Sequence, residues 1–247
     1  MNLSFERLLA GGVAAAVAAA LLGVVTLAGT GAGTASAAPR EQAVVLPAAQ
    51  GAAAFQDTAS RASVVFAGGC FWGVQGVFQH VTGVENAVSG YIGGDAASAR
   101  YERVSGGTTD HAEAVRVDYD PRKVSYGQLL QVFFSVVHDP TQRDRQGPDH
   151  GRQYRSAIFA DDPRQQAANR AYIAQITPRF NAPVATELGQ GKRFYPAENY
   201  HQNYMARYPQ AAYIRYYDAP KLDALRQQFP TLYRTTPRLA AMPVSVR

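Results

Sequence analysis

Residues 63–81 pass from a strand pattern to a helix pattern with only two glycines between them. The segment SVVFAGG (63–69) is rich in β-branched and aromatic residues and ends in those glycines, which is typical of a strand followed by a tight turn. The next segment, CFWGVQGVFQHV (70–81), has apolar residues at the three- and four-residue spacing of a helix. This pattern predicts that Cys70, the only cysteine of the chain, lies at a strand-to-helix turn.

That position has chemical consequences for Cys70. At a helix N-terminus, free amide groups and the macrodipole favour the thiolate, so the sequence predicts a lowered pKa for this thiol. A single cysteine forms no internal disulfide and excludes a zinc site built on several cysteines. Two interpretations follow: Cys70 is a small buried hydrophobe, or it is a nucleophile beside an aromatic pocket that Phe71 and Trp72 supply.

The other segments predict an α+β fold. The segment 112–121 alternates strictly and is the clearest strand, and Ser125 with Gln128 forms the capping box of a buried helix. Further strands are predicted at VENAVSGYI, RSAIFA and PVATEL, and further helices at residues 161–177 and 196–209. Because no regular βαβ repeat appears, helices packed on a mainly antiparallel or mixed sheet are expected.

Glu113 stands out within the strand that begins at Ala112. The alternation puts it on the same face as Val115, Val117 and Tyr119, the apolar face of the strand. A buried carboxyl group is costly unless it is paired or protonated, and desolvation raises its pKa, which suits a proton donor. The alternative is that the strand starts later and Glu113 faces solvent at a sheet edge.

The composition divides the chain into four parts. Residues 1–37 contain an apolar stretch and an A-x-A site at 35–37, a pattern that predicts a secretory signal peptide. The alternative is an uncleaved membrane anchor, because the apolar stretch is long enough to span a bilayer. The segment 38–60 predicts a flexible linker, 61–234 a single catalytic domain, and 235–247 a disordered tail. The protein is therefore expected to be exported, either periplasmic or secreted, and bound to a membrane only if the N-terminal segment is not cleaved.

Charge and histidine spacing narrow the functional classes. The formal charge of +5 comes mostly from arginines scattered among acids, without a basic block, so no nucleic-acid binding is expected. The histidines lack metal-ligand spacing, and no metal or cofactor is predicted. Two further functions remain open: a cysteine hydrolase that pairs Cys70 with a histidine, or a binding module with an inert thiol. The candidate histidines are His111, His138, His150 and His201.

Five stretches, in this order, resemble the A-type peptide methionine sulfoxide reductases from about Val64 to Tyr208. They are GGCFWG, GYIGG, YERVSGGTTDHAEAVRVDYDP, LLQVFFSVVHDPTQRDRQGPDHGRQYRSAIF and FYPAENYHQNY. The resemblance implies a ferredoxin-like core of two layers, helices on a mixed sheet, with extra loops and a C-terminal extension. It also implies repair of oxidative damage by reduction of methionine-(S)-sulfoxide in proteins or peptides, with free methionine sulfoxide as a further candidate substrate.

The resemblance also implies the roles of individual side chains. Cys70 would attack the sulfoxide sulfur, Glu113 would be the acid, and Asp149 would organise the site. The substrate's S-methyl group would contact Phe71 and Trp72, while the sulfoxide oxygen would accept hydrogen bonds from Tyr101 and Tyr154.

The sequence departs from the family pattern at two places. Many members carry further cysteines near the C-terminus, but residues 207–222 contain none. A sulfenic acid on Cys70 would then need an external thiol, for which a thioredoxin-like protein is the hypothesis. In addition, Asp110 stands where glycine is common before HAE, and its charge is expected to raise the pKa of Glu113. A monomer is the default oligomeric state.

Overall fold

The computed structural model describes residues 43–241, so the predicted signal peptide over 1–37 lies outside the described residues. The helices are α1 (Phe71–Gln79), α2 (Tyr101–Val104), α3 (Tyr126–Val132), α4 (Pro163–Ile176), α5 (Tyr204–Arg207) and α6 (Ala219–Gln228). The strands are β1 (Ala62–Gly68), β2 (Val84–Ile92), β3 (Ala112–Tyr119), β4 (Arg145–Gln146), β5 (Asp149–His150), β6 (Ser156–Phe159), β7 (Glu187–Gly189) and β8 (Phe194–Pro196). Across these residues, no helix combines the length and the apolar character needed to cross a membrane.

Six strands form one mixed sheet in the order β7-β6-β1-β3-β2-β8. Every pairing in it is antiparallel except that of β6 with β7. The chain passes from β1 to β2 through α1, and β3 lies between these two strands in the sheet. It then crosses from β3 to β6 through α3, around β1. These two interlocked crossovers are the ferredoxin-like core, and they confirm the predicted α+β class and mixed sheet.

The two faces of the sheet are packed differently. On the face that α1 and the chain after α3 cover, Phe66 stacks on Phe78 at 5.0 Å and on Phe133 at 4.6 Å between ring centroids. The opposite face carries a smaller buried cluster of short side chains, including Ala67 and Ala114. Since successive strand residues alternate between the faces, Glu113 shares the aromatic, helix-covered face with Val115 and Val117.

The local predictions fare unequally. The capping box is confirmed: the N–H of Gln128 donates to Ser125 Oγ, and the N–H of Ser125 donates to Gln128 Oε1. The helix predicted for 196–209 is wrong, because the segment splits into a 3₁₀ turn (Asn199–His201) and α5. Between them, Asn203 has a left-handed φ of 58°, and its N–H donates to Gln75 Oε1 of α1 at 2.8 Å.

The described part of the predicted linker is packed on the domain. Leu46 is 2% exposed, and its carbonyl oxygen accepts a hydrogen bond from Gln131 Nε2 at 2.8 Å. The hydroxyl of Tyr172 donates to the carbonyl of Pro47, also at 2.8 Å. Helix side chains thus satisfy backbone groups that the segment does not pair itself, which a prediction from composition misses.

The beginning of the predicted tail is also held. The N–H of Arg238 donates to the carbonyl of Gln79 at 2.9 Å, and its Nε donates to the carbonyl of Glu85. Residues 238–241 therefore lie along the end of α1 and the start of β2. Hydrogen bonds that cannot be predicted from composition hold this described part of the predicted tail.

Candidate active site

Cys70 lies at the turn that the sequence predicts, directly before α1. The preceding Gly69 has a φ of 90°, and a Cβ there would lie 2.7 Å from the side chain of Gln146, so this turn requires glycine. Cys70 is partly exposed and lines a cleft of about 880 Å³. Asp149, Tyr213 and Lys221 also line this cleft.

Glu113 lies against the first turn of α1. It is 2% exposed, and its Oε2 accepts a hydrogen bond from the N–H of Phe71 at 3.0 Å. The strand β3 begins at Ala112, so the edge position considered from the sequence is not adopted. The carboxyl group is thus fixed next to the residue that follows Cys70, although 42 positions separate Phe71 and Glu113 in the chain.

The carboxyl group of Glu113 is protonated at neutral pH. Burial raises its pKa to about 8, the charges of Asp149 and Asp218 add to the shift, and the hydrogen bond from the Phe71 amide opposes it. The added charge was expected from Asp110, but that residue is exposed and Asp149 and Asp218 supply it instead. A buried carboxyl group in its neutral form can donate a proton, as the sequence predicts for Glu113.

The prediction of a lowered pKa for Cys70 is wrong. Burial of the sulfur raises the pKa well above its ordinary value, and the charges of Glu113, Asp218 and Asp149 raise it further. The N–H of Trp72, at the start of α1, donates to the sulfur and opposes these effects without outweighing them. The helix N-terminus acts in the expected direction, but desolvation and three nearby carboxyl groups dominate.

Two tyrosine hydroxyls face the same site. Burial and then the charge of Glu113 raise the pKa of both Tyr101 and Tyr154, and the charge of Cys70 contributes to both shifts. Both hydroxyls are therefore hydrogen-bond donors at any physiological pH. Tyr101 begins α2, where its N–H donates to Glu198 Oε1 at 3.0 Å, while Glu198 Oε2 accepts from the hydroxyl of Tyr91 at 2.8 Å.

Phe71 and Trp72 belong to an aromatic cluster. Trp72 stacks on Tyr204 with 3.8 Å between ring centroids, and its Nε1–H donates to His201 Nδ1 at 3.1 Å. The ring of His201 lies 5.0 Å from that of Phe71, and burial lowers its pKa, so the imidazole is neutral. Neither side chain belongs to a spacing pattern, so Glu198 is not predicted from the sequence, and His201 is considered there only as the histidine partner of a cysteine hydrolase.

Asp149 is held by a residue that sequence reasoning missed. The hydroxyl of Tyr213 donates to Asp149 Oδ2, and the ring of Tyr213 meets that of Trp72 edge-on. Burial raises the pKa of Asp149, and the hydrogen bond from Tyr213 opposes the shift. Tyr213 thereby links Asp149 to the aromatic cluster. It lies in the segment noted in the sequence only for its lack of cysteine.

The histidines do not form the pair that a cysteine hydrolase needs. His111 Nε2 lies 2.8 Å from the carbonyl oxygen of Asp95, and His138 Nε2 lies 2.7 Å from Ser156 Oγ. His201 is bonded to Trp72, and His150 is exposed. Between residues 43 and 241, no group of three or more His, Cys, Asp or Glu side chains is arranged to hold a metal ion.

The thiol of Cys70 therefore lies beside a protonated carboxyl group, two tyrosine hydroxyls and an aromatic cluster. The family model described as peptide methionine sulfoxide reductase matches residues 62–232, which include all these groups. The chain belongs to the peptide methionine sulfoxide reductase family. It is an oxidoreductase, and the family confirms the resemblance carried by the sequence motifs.

Curated relatives and solved structures agree with this family. A peptide methionine sulfoxide reductase MsrA 2 from Mesorhizobium japonicum is 55% identical over 179 residues, which cover 72% of this chain and 92% of the relative. Another MsrA 2, from Synechocystis sp., is 54% identical and covers 67% and 78%. The fold is similar to that of Mxr1 from Saccharomyces cerevisiae in reduced form (TM-score 0.57, 32% identity, 64% of this chain and 91% of that one). It is also similar to methionine sulfoxide reductase A of Corynebacterium diphtheriae (TM-score 0.56, 30% identity, 70% and 87%).

Proposed function

We propose that this reductase acts on methionine-(S)-sulfoxide in oxidised proteins and peptides by attack of the Cys70 sulfur on the sulfoxide sulfur. The observation that carries the proposal is the hydrogen bond of Glu113 to the Phe71 amide, which holds a carboxyl group with a pKa of about 8 beside the thiol. Sulfoxide sulfur is a poor electrophile until its oxygen receives a proton or strong hydrogen bonds, and Glu113 supplies the proton.

The oxygen atom then passes from substrate to enzyme. Glu113 donates its proton to the sulfoxide oxygen while the Cys70 sulfur attacks, and the thiol proton returns to Glu113. The attack forms a bond between the two sulfur atoms, and this bond and the S–O bond of the substrate both break as the oxygen passes to the Cys70 sulfur as a hydroxyl group. Methionine leaves as a neutral thioether and Cys70 becomes a sulfenic acid. Donors fixed at a developing charge, here Glu113 with the hydroxyls of Tyr101 and Tyr154, are each worth about 2–4 kcal/mol of barrier.

The same geometry supports selection of one epimer. Trp72 is partly exposed beside the buried Phe71 and offers an apolar surface for the S-methyl group, and the neutral His201 beside both rings keeps that surface uncharged. The proton donors lie on the side of Glu113, so a chiral sulfur that presents its methyl group to the aromatic cluster turns its oxygen toward the acid in one configuration only. Free methionine sulfoxide carries the same group and is a further candidate substrate.

Reduction of the sulfenic acid needs a thiol from outside the chain, because Cys70 is its only cysteine. One external thiolate attacks the Cys70 sulfur and releases the oxygen as water, and a second thiol resolves the mixed disulfide, so two thiols become one disulfide. We assign this step to a thioredoxin-like protein. The proposed export of the protein, which the pattern of residues 1–37 supports, would place that partner outside the cytoplasm.

The test is reduction of peptides that carry the S or the R sulfoxide separately, with dithiothreitol as the only reductant. The expected result is turnover of the S epimer alone, abolished by Cys70→Ser and slowed about 100-fold to 1,000-fold by Glu113→Gln, which keeps the shape but not the proton. Turnover of neither epimer by the folded protein would contradict the proposal, as would full activity of the Cys70→Ser variant.

A further inference from the structure

Asp218 is a buried carboxylate that the reaction described above does not use. It ends the π-helical turn Ile214–Asp218, is 0% exposed, and its Oδ1 lies 3.3 Å from Lys221 Nζ. Its Oδ2 has no hydrogen-bond partner among residues 43–241. A buried, incompletely satisfied carboxylate costs stability, so its presence beside a reactive site requires an explanation.

The side chain of Asp218 contacts the helix that carries the nucleophile. Gly73 lies in the first turn of α1, three residues after Cys70, and a Cβ on Gly73 would overlap Asp218 Oδ1. The same Cβ would lie 3.1 Å from Lys221 Nζ. Only a residue without a side chain lets both charged groups approach the backbone here, where the helix dipole favours a negative charge.

We propose that Asp218 and Lys221 are a positioning pair for this reductase: together they set the charge at the first turn of α1 and so determine how readily Cys70 gives up its proton. This inference rests on the proposed function in one respect, namely that Cys70 is the nucleophile. Neither residue touches the sulfoxide. They act through the helix end and the cleft that Lys221 shares with Cys70.

The charges around Cys70 support this role. The groups that act on it are Glu113 from β3, Asp149 from β5 and Asp218 before α6, with the hydroxyls of Tyr101, Tyr154 and Tyr213 around them. Among these three acids, the ammonium of Lys221 lowers the pKa of Asp218 and of Asp149. Burial still leaves Asp218 with a pKa of about 6, so at neutral pH it is a carboxylate balanced by Lys221.

Removal of Asp218 and removal of Lys221 should therefore shift the pKa of the Cys70 thiol in opposite directions. Asp218→Asn keeps the ammonium and removes the carboxylate, which favours the thiolate. Lys221→Gln removes the ammonium and leaves the negative charge of Asp218 without its counter-charge, which disfavours the thiolate. A merely structural role would not produce shifts of opposite sign.

The experiment follows alkylation of Cys70 by iodoacetamide, a neutral reagent, from pH 5 to pH 10 in the full chain. For Asp218→Asn, we expect alkylation about tenfold faster at pH 7, and for Lys221→Gln about threefold to tenfold slower at pH 8.5. Lys221→Arg keeps the charge and should restore the wild-type profile. Lys123→Gln is the matched control, because Lys123 forms the same kind of pair with Asp120, three residues earlier and also 3.3 Å away, but beyond the far end of β3.

Profiles of Asp218→Asn and Lys221→Gln that coincide with the wild type would overturn the proposal, and so would shifts in the same direction. If Asp218→Asn does not fold, as judged by circular dichroism, Lys221→Gln and its Arg rescue carry the test alone. The experiment needs no sulfoxide, so its outcome is separate from the turnover assay. Failure of the proposed function appears as sulfoxide reduction by Cys70→Ser, whatever the alkylation profile.

Discussion

Cys70 and Glu113 are both protonated at neutral pH, and burial is the first cause in each case. Each also receives one opposing hydrogen bond from a backbone amide of the first turn of α1, from Trp72 and Phe71 respectively. The alternation of β3 predicts the burial of Glu113. The raised pKa of Cys70 could not be predicted, because Asp149 and Asp218 approach it from segments distant in the sequence.

The protonation of Glu113 makes a prediction about stability. Its pKa rises from 4.5 to about 8 on folding, so the stability that its neutral form contributes is fully present below pH 4.5 and is lost as the pH rises toward 8. Glu113→Gln has no such loss. Between pH 5 and pH 9, the difference in the free energy of unfolding between the variant and the wild type should move by roughly 4 kcal/mol in the variant's favour.

Urea denaturation at the two pH values measures this difference. Glu102→Gln, at an exposed carboxylate of α2, is the control and should give nearly the same difference at both. A difference for Glu113→Gln that also stays constant with pH would mean that the carboxyl group is not buried in its neutral form.

At the scale of single elements, local patterns predict most of the core but not the segment after β8. The capping box at Ser125 and the alternation of β3 depend on neighbours in sequence, and both are found as expected. The predicted helix over 196–209 fails because side chains of α1 bind its backbone, as Gln75 does at Asn203. Such tertiary hydrogen bonds leave no periodic signal, so the sequence predicts neither the break in this helix, nor Glu198, nor the hydrogen bond between His201 and Trp72.

The two glycines inside α1 make a second prediction. Alanine favours a helix over glycine by about 1 kcal/mol, yet Gly73→Ala should lower the free energy of unfolding by roughly 1–3 kcal/mol, because its Cβ overlaps Asp218. Gly76→Ala should cost less, since the overlapping atom is the sulfur of Met205, whose long side chain can move. Thermal unfolding of both variants gives the order.

The control for these substitutions is Gly106→Ala, where a Cβ meets nothing nearer than 3.6 Å. It should leave the unfolding temperature close to that of the wild type. If Gly73→Ala were as stable as Gly106→Ala, the contact between α1 and Asp218 would not be a close one.

At the scale of the whole molecule, the segments that flank the predicted domain differ most from expectation. Alanine and glutamine suggested a flexible linker before residue 61, but residues 43–55 cover α3 and α4. Composition indicates whether a segment would be ordered in isolation. Residues 43–55 are ordered because side chains of other elements, such as Gln131 and Tyr172, bind their backbone. The ferredoxin-like core, by contrast, is what the family resemblance implies, because the motifs that carry the resemblance span its strands.

A third prediction follows for this N-terminal segment. Leu46 is 2% exposed, so Leu46→Ala should lower the free energy of unfolding by about 2–4 kcal/mol through lost burial and the cavity left behind. The adjacent Val45 is 78% exposed, and Val45→Ala should change it by less than about 0.5 kcal/mol. Urea denaturation of the two variants measures the difference, and equal midpoints would show that the segment does not pack in solution.

The raised pKa of Cys70 also bears on which oxidants the protein can meet safely. Peroxides react with thiolates, and a thiol that rests protonated offers them little to attack. An unfolded chain would expose the same sulfur with its ordinary acidity, so folding shields the cysteine from indiscriminate chemistry. In the proposed reaction, methionine sulfoxide differs from a peroxide because it brings a basic oxygen to Glu113 and an S-methyl group to the aromatic cluster. A reductase of this family whose single cysteine rests protonated thus keeps that sulfur unreactive toward peroxides.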